Sequence, residues 1–127
     1  MIAVDTSALM AILLGEAEAE ACAVALEAED EILISAGTVA EALIVAGRRD
    51  LGDEMERLID GLGKEVVTLT AASARRMAQA NGRWGKGVHP AGLNFGDCFA
   101  CEVAREHGCP LLFVGGDFVR TDVTSVL

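Results

Sequence analysis

The chain has 127 residues, 52% of them hydrophobic, with 10 basic against 20 acidic side chains for a net charge of −10. That length fits a single domain over residues 1–127 that can bury a core without disulfide staples, and no apolar run reaches the ~18 residues a membrane-spanning helix needs. The charge opposes diffuse binding to a polyanion, so any nucleic-acid contact must be local or aided by cations.

Met1-Ile2-Ala3-Val4 is an apolar, β-branched run that stops abruptly at Asp5, Thr6 and Ser7. It predicts a buried first strand that delivers Asp5 to the carboxyl edge of a sheet, where ligands of open parallel sheets sit. Asp is equally a preferred N-cap, so Asp5 fits either role. With no basic segment and no small-residue cleavage site ahead of this strand, a cytoplasmic protein is expected.

Residues 7–14 and 16–29 predict two helices broken at Gly15, and 31–35 a second buried strand that Gly37 ends. Thr38-Val39-Ala40-Glu41 matches a capping box, with Thr38 as cap of a helix over 42–48, which gives Glu41 a purely structural reading. A helix over 51–62 carries Leu51, Met55, Leu58, Ile59 and Leu62 at helical spacing. Residues 65–69 predict a third strand, and Thr70 caps a helix over 72–80 that Asn81-Gly82 stops. From Gly82 to Gly92, four glycines, Pro90, Arg83, Trp84, Lys86 and His89 predict a mobile loop suited to touching a substrate. Asn94 stands three residues before Asp97, again a cap pattern, and opens a helix over 98–107. Residues 110–114 predict a fourth strand, after which Gly115-Gly116 turns the backbone to present Asp117. The tail can add a short edge strand.

Strands alternating with helices, without internal repeats or linkers, give an α/β fold of three layers, α/β/α, around a small, mostly parallel sheet. Cys22, Cys98, Cys101 and Cys109 fall in or beside apolar elements and are expected to be reduced, buried thiols. Cys98 and Cys101 alone make only half of a zinc site.

Asp5 and Asp117 follow strands while Glu41 and Asp97 begin helices, so all four can point into one crevice at the strand ends. Carboxylates converging without cations repel, and an oxygen-only donor set suits a hard ion, Mg2+ or Mn2+. The chemistry indicated is metal-assisted phosphoryl transfer.

In their order along the whole chain, Val4-Asp5-Thr6-Ser7-Ala8-Leu9, Thr38-Val39-Ala40-Glu41, Leu93-Asn94-Phe95-Gly96-Asp97-Cys98 and Leu111-Leu112-Phe113-Val114-Gly115-Gly116-Asp117-Phe118 resemble the PIN-domain ribonucleases, most closely the VapC toxins of toxin–antitoxin pairs. The resemblance implies a PIN-like fold and an Mg2+- or Mn2+-dependent endoribonuclease that hydrolyses phosphodiesters of transfer or ribosomal RNA and is neutralised by a cognate VapB-type antitoxin. It makes Asp5, Glu41, Asp97 and Asp117 the acidic cluster around one ion or two, with Thr6 or Ser7 assisting and Asp122 a peripheral carboxylate. Many relatives carry Lys or Asn within Val114 to Gly116, where this chain is apolar and glycine, so Asp117 either binds metal directly or acts through water. Arg83, Lys86 and His89 would then contact phosphate, and Trp84 would either stack an unpaired base or serve packing. The apolar composition points to a homodimer that also binds the antitoxin, with helices 7–29 and 51–62 as the surfaces. The rival readings are a PIN scaffold acting only as a protein- or RNA-binding module, and a response-regulator receiver, which lacks its acidic pair and late lysine here.

Overall fold

A computed structural model describes all residues, 1–127. The elements run β1 (Ile2–Val4), α1 (Thr6–Leu14), α2 (Ala19–Ala28), β2 (Ile32–Ser35), α3 (Ala36–Gly47), α4 (Gly52–Gly61), β3 (Lys64–Val67), α5 (Ala71–Trp84), α6 (Phe95–Glu106) and β4 (Leu111–Leu112). The strands pair in the order β3-β2-β1-β4, all parallel, with Ile2 opposite Ile32, Ala3 opposite Leu111 and Ile34 opposite Val66.

Successive strand residues face opposite sides of the sheet, and this alternation divides the core. Ile2, Val4, Ile32, Ile34 and Leu112 pack against α1 to α4 through Leu9, Cys22, Ala42, Ala46, Met55 and Ile59. Ala3, Leu33, Leu111 and Phe113 pack against α5 and α6 through Met77, Ala80, Trp84, Cys98 and Val103. The result is the expected α/β/α layering. On the second face the buried Glu102 carboxylate accepts from Arg76 Nε at 2.8 Å, and Arg76 also reaches Glu106 at 3.3 Å, tying α5 to α6.

Several boundaries differ from the sequence reading for physical reasons. Gly37 does not end a strand, because β2 runs straight into α3 with Ser35 as the cap, its hydroxyl accepting the Gly37 N–H at 3.1 Å. Thr38 is therefore inside the helix, buried, and caps nothing. Asn81-Gly82 does not stop α5, which continues to Trp84; burial of Ala80 and Trp84, four residues apart on one face, outweighs the local preference. The segment after it is shorter and better ordered than a mobile loop, since Lys86 N–H bonds Leu93 C=O and Leu93 N–H bonds Trp84 C=O, each at 3.0 Å. The caps expected at Thr70 and Asn94 are present, each in a capping box. Gly15, at φ 61, separates α1 from α2 as expected. The tail contributes a single parallel bridge, Ser125 beside Leu111.

One close approach sets the position of α3 over α6: a Cβ at Gly37 would overlap the Phe99 ring, whereas one at Gly47, on the same helix, would meet nothing. Gly37→Ala is expected to lose about 1–3 kcal/mol to overpacking, against which the helix-propensity gain is at most about 1 kcal/mol. Gly47→Ala should be neutral or stabilising. Urea unfolding of the two variants checks the opposite signs.

Candidate active site

The site is built where β1, β2 and β4 end. Asp5 follows β1 with its own N–H still bonded to Leu112 C=O at 3.0 Å, so the sheet fixes its backbone. It is also the N-cap of α1: Oδ2 accepts from the Ser7 N–H at 3.0 Å and the Ser7 hydroxyl at 2.6 Å. The other oxygen, Oδ1, is buried without a partner. The Ser7 hydroxyl also accepts the Val114 N–H at 3.0 Å, joining this carboxylate to the exit of β4.

Glu41 lies in the second turn of α3, not at a helix start, and its Oε1 accepts from the Thr6 hydroxyl at 2.6 Å. Its Oε2 rests over Gly96, where a Cβ would overlap the carboxylate. Asp97 is the third residue of α6 and completes a capping box: Oδ2 accepts the Asn94 N–H at 3.0 Å, while Asn94 Oδ1 accepts the Asp97 N–H at 2.8 Å. Asp117 is exposed, after Gly115 at φ 97, in a turn anchored by Phe118 against Phe113 with ring centroids 5.0 Å apart.

The four carboxylates sense one another. Burial pushes Asp97 up to about 7; the Asn94 N–H opposes this, and the fields of Asp5, Asp117 and Glu41 add to it. Asp5 rises to about 6, again chiefly through burial, with the two hydrogen bonds from Ser7 opposing and Glu41 adding. No three His, Cys, Asp or Glu side chains are already gathered tightly enough to cage an ion. The donors nevertheless fit a hard divalent cation. Asp5, Glu41 and Asp97 each have one oxygen tethered by the chain and one left over, and Asp5 Oδ1 is an unsatisfied acceptor out of water, the kind of atom that a bound cation satisfies.

The remaining candidates lie elsewhere. Trp84, expected on a loop, ends α5 with 9% of its surface exposed, its ring edge-to-face with His89 at 4.8 Å and under the Arg83 guanidinium at 4.7 Å. That leaves no open ring face for a base. His89 Nδ1 accepts the Ala91 N–H at 3.0 Å, and Lys86 is exposed. Asp122 faces Arg105 at 3.5 Å and Arg83 at 3.8 Å instead of the carboxylate crevice. The four cysteines are free, and burial pushes the Cys101 thiol up to about 12, away from a metal-binding thiolate. Sequence reasoning missed Gly96 and Gly37. Each lies within four residues of a candidate carboxylate, but only the approach of another helix shows what a side chain there would displace.

In chelator, the electrostatics predict a pH dependence. A carboxyl whose folded pKa lies above its unfolded value of about 4 favours the folded state while protonated. That contribution is complete below about pH 4 and is lost as pH rises through about 6 for Asp5 and 7 for Asp97. The melting temperature of the wild-type chain in EDTA should therefore fall between pH 5 and 8, and Asp97→Asn, whose amide oxygen can still accept the Asn94 N–H, should flatten the fall. Differential scanning calorimetry across that range checks it.

The PIN-domain family profile matches residues 2–123. Ribonuclease VapC30 of Mycobacterium tuberculosis is 39% identical over 126 residues, covering 97% of this chain and 96% of the relative. Ribonuclease VapC36 of the same species is 43% identical over 124 residues, covering 94% and 89%. Among solved structures, M. tuberculosis VapC20, described as a sarcin–ricin loop cleaving toxin, superposes with a TM-score of 0.79 at 20% identity over 99% of this chain and 98% of that one. A toxin–antitoxin complex from Klebsiella pneumoniae superposes at 0.71, with 19% identity over 96% and 93%. With near-full-length identity of about 40% and the α/β/α fold, the chain belongs to the PIN-domain family, in its VapC ribonuclease branch.

Proposed function

We propose that the chain is the toxin of a type II toxin–antitoxin pair, an endoribonuclease that hydrolyses phosphodiesters of transfer or ribosomal RNA with Mg2+ or Mn2+. The observation that carries this reading is the set of half-tethered carboxylates at the strand ends of a VapC-branch chain, with the buried Asp5 Oδ1 left unsatisfied. Asp5, Glu41 and Asp97 hold the metal, and Asp117 closes the exposed rim. A divalent ion bound there supplies an activated water and charge stabilisation for in-line displacement at phosphorus. Ser7 and Thr6 position Asp5 and Glu41 through the hydrogen bonds described above. Lys86, with Arg83 and His89 near it, gives local phosphate contacts that offset the net charge of −10.

The partner is a VapB-type antitoxin, and the toxin forms a homodimer. The Klebsiella toxin–antitoxin complex among the structural neighbours supports the first. The apolar depression between α1, α2 and α4, lined by Ile12, Ala23, Leu26, Leu58 and Leu62 with Arg57 and Glu27 at its edge, supports α1, α2 and α4 as contact surfaces. No helix is long and apolar enough to cross a membrane, and the proposed RNA substrate supports a cytoplasmic location.

Purified protein with Mn2+ should cleave structured RNA, and EDTA should abolish cleavage; intact RNA under saturating Mn2+ would leave only the binding-module reading. Glu41→Gln should melt at or slightly above the wild-type temperature in EDTA, because it removes one of the repelling charges, yet lose cleavage. Gly96→Ala, which pushes the Glu41 carboxylate aside, should cost about 100-fold in turnover with little loss of stability. Wild-type cleavage by Glu41→Gln would remove Glu41 from the site. A monodisperse monomer in light scattering at micromolar concentration would remove the dimer.

A further inference from the structure

Cations are spread unevenly along this chain. Residues 1–47 hold nine Asp or Glu and no Lys or Arg, while six of the ten cations lie from α5 onward. Three of them, Arg76, Arg83 and Arg105, line a depression of about 390 Å³ between α5 and α6 together with Gln79, Glu102 and Glu106. The carboxylates there sort the arginines into two kinds. Arg76 Nε meets the buried Glu102 at 2.8 Å and Glu106 at 3.3 Å, a close contact that ties the helices together. Arg83 and Arg105 instead share Asp122, one carboxylate oxygen each: Arg83 Nη1 stands 3.8 Å from Oδ2, and Arg105 Nη1 3.5 Å from Oδ1. A charge-assisted N–H···O bond closes at about 2.7–2.9 Å, so neither contact is fully made. The three side chains are 40–58% exposed, and surface pairs of this kind hold little. The Arg83 guanidinium carbon also lies 4.7 Å over the Trp84 ring, a contact that steadies the group without consuming any N–H donor.

We propose that Arg83 and Arg105 form a clamp for one backbone phosphate of bound RNA, with Asp122 as a resident counter-ion that the phosphate displaces. That the phosphate belongs to RNA rests on the ribonuclease reading above. The fit favours phosphate over a carboxylate. Asp122 reaches toward both guanidiniums and falls short of each, whereas a phosphate is larger, sets its oxygens farther apart and matches the fork of N–H donors that each arginine presents. The lining disfavours a base, since Ala80 is its single apolar residue and the Trp84 ring is already covered. With three arginines against Glu102, Glu106 and Asp122 the depression is electrically balanced, so it offers two forks behind one weakly held carboxylate and not a diffuse positive field. Its place suits a strand that also enters the carboxylate site. Arg105 follows Asp97 by eight residues on α6, about 12 Å along the helix axis, and the α1 and α2 side of the molecule has no cation with which to meet a neighbouring phosphate.

The test uses the full chain and a fluorescently labelled single-stranded RNA, with Kd read by anisotropy in EDTA so that no bond is cut. Arg105→Gln should raise Kd about equally for RNAs of different sequence, and the affinity it loses between 50 and 200 mM salt should be smaller than the wild-type loss by about threefold, the share of one phosphate contact. Asp122→Asn should do the opposite, lowering Kd and steepening the salt dependence, a gain that a misfolded variant cannot give. That gain should vanish when Arg83→Gln and Arg105→Gln are added. Unchanged Kd and salt dependence in both single variants, with wild type binding and cleaving RNA, overturns the clamp and leaves the ribonuclease reading standing. The expected shifts without cleavage under Mn2+ keep the clamp and overturn that reading, and absence of both binding and cleavage by wild type overturns both. Two further arms distinguish the sources of the anion. A rise in melting temperature in inorganic phosphate over chloride of equal ionic strength that Arg105→Gln abolishes, with RNA affinity intact, gives the site to free phosphate and overturns the proposal. Poly-glutamate bound by wild type and not by Arg105→Gln, again with RNA affinity intact, gives it to an acidic protein and overturns the proposal as well.

Discussion

Four carboxylates gathered at the ends of parallel strands, with no basic side chain bonded to any of them, are the constraint to which the rest of the molecule answers. Burying anionic oxygens is costly unless each finds a partner. The chain meets this by giving one oxygen of each inner carboxylate to its own backbone or hydroxyls: Ser7 for Asp5, Thr6 for Glu41 and the Asn94 amide for Asp97. The oxygens left over have no hydrogen-bond partner in the chain, and the pKa values of Asp5 and Asp97 are raised chiefly by burial, with the neighbouring carboxylates adding to it. The fold thus keeps a stored preference for positive charge at that point.

The same arrangement removes an apparent conflict in the sequence. Asp5 and Asp97 could each be read as a helix cap or as a group committed to chemistry, and the structure shows that capping occupies only one oxygen of each carboxylate and leaves the other without a hydrogen-bond partner. One caps, and capping is what fixes the direction of the other. An Asp at the start of a helix beside a strand end is therefore both locally stabilised and aimed, with the cap acting as the device that orients it.

Legibility followed the range of the interaction. The caps at Asp5, Thr70 and Asn94 depend on neighbours within three residues, and the sequence shows them. Thr38-Val39-Ala40-Glu41 reads like a fourth, but Ser35 had already started the helix, and a four-residue pattern carries no information about where a helix begins upstream. Glu41 is then placed by Thr6, 35 residues away, and by Gly96 on another helix. Asn81-Gly82 gives a correct local preference that the burial of Trp84 overrides. In each miss, a contact between elements outweighed a preference within one.

The tail has a consequence for behaviour in a crowded cell. An open sheet presents two raw edges, each a template on which another chain can add a strand. Here the β4 edge is occupied by the last residues, where Leu111 N–H bonds Thr124 C=O at 2.8 Å and Val126 N–H bonds Leu111 C=O at 3.1 Å. The opposite edge, β3, carries Lys64 and Glu65, charges that discourage stacking of further strands. Resistance to edge-to-edge aggregation is thus divided between a covering segment on one side and electrostatics on the other, and a chain shortened by four residues would keep its carboxylate crevice while exposing a sticky edge.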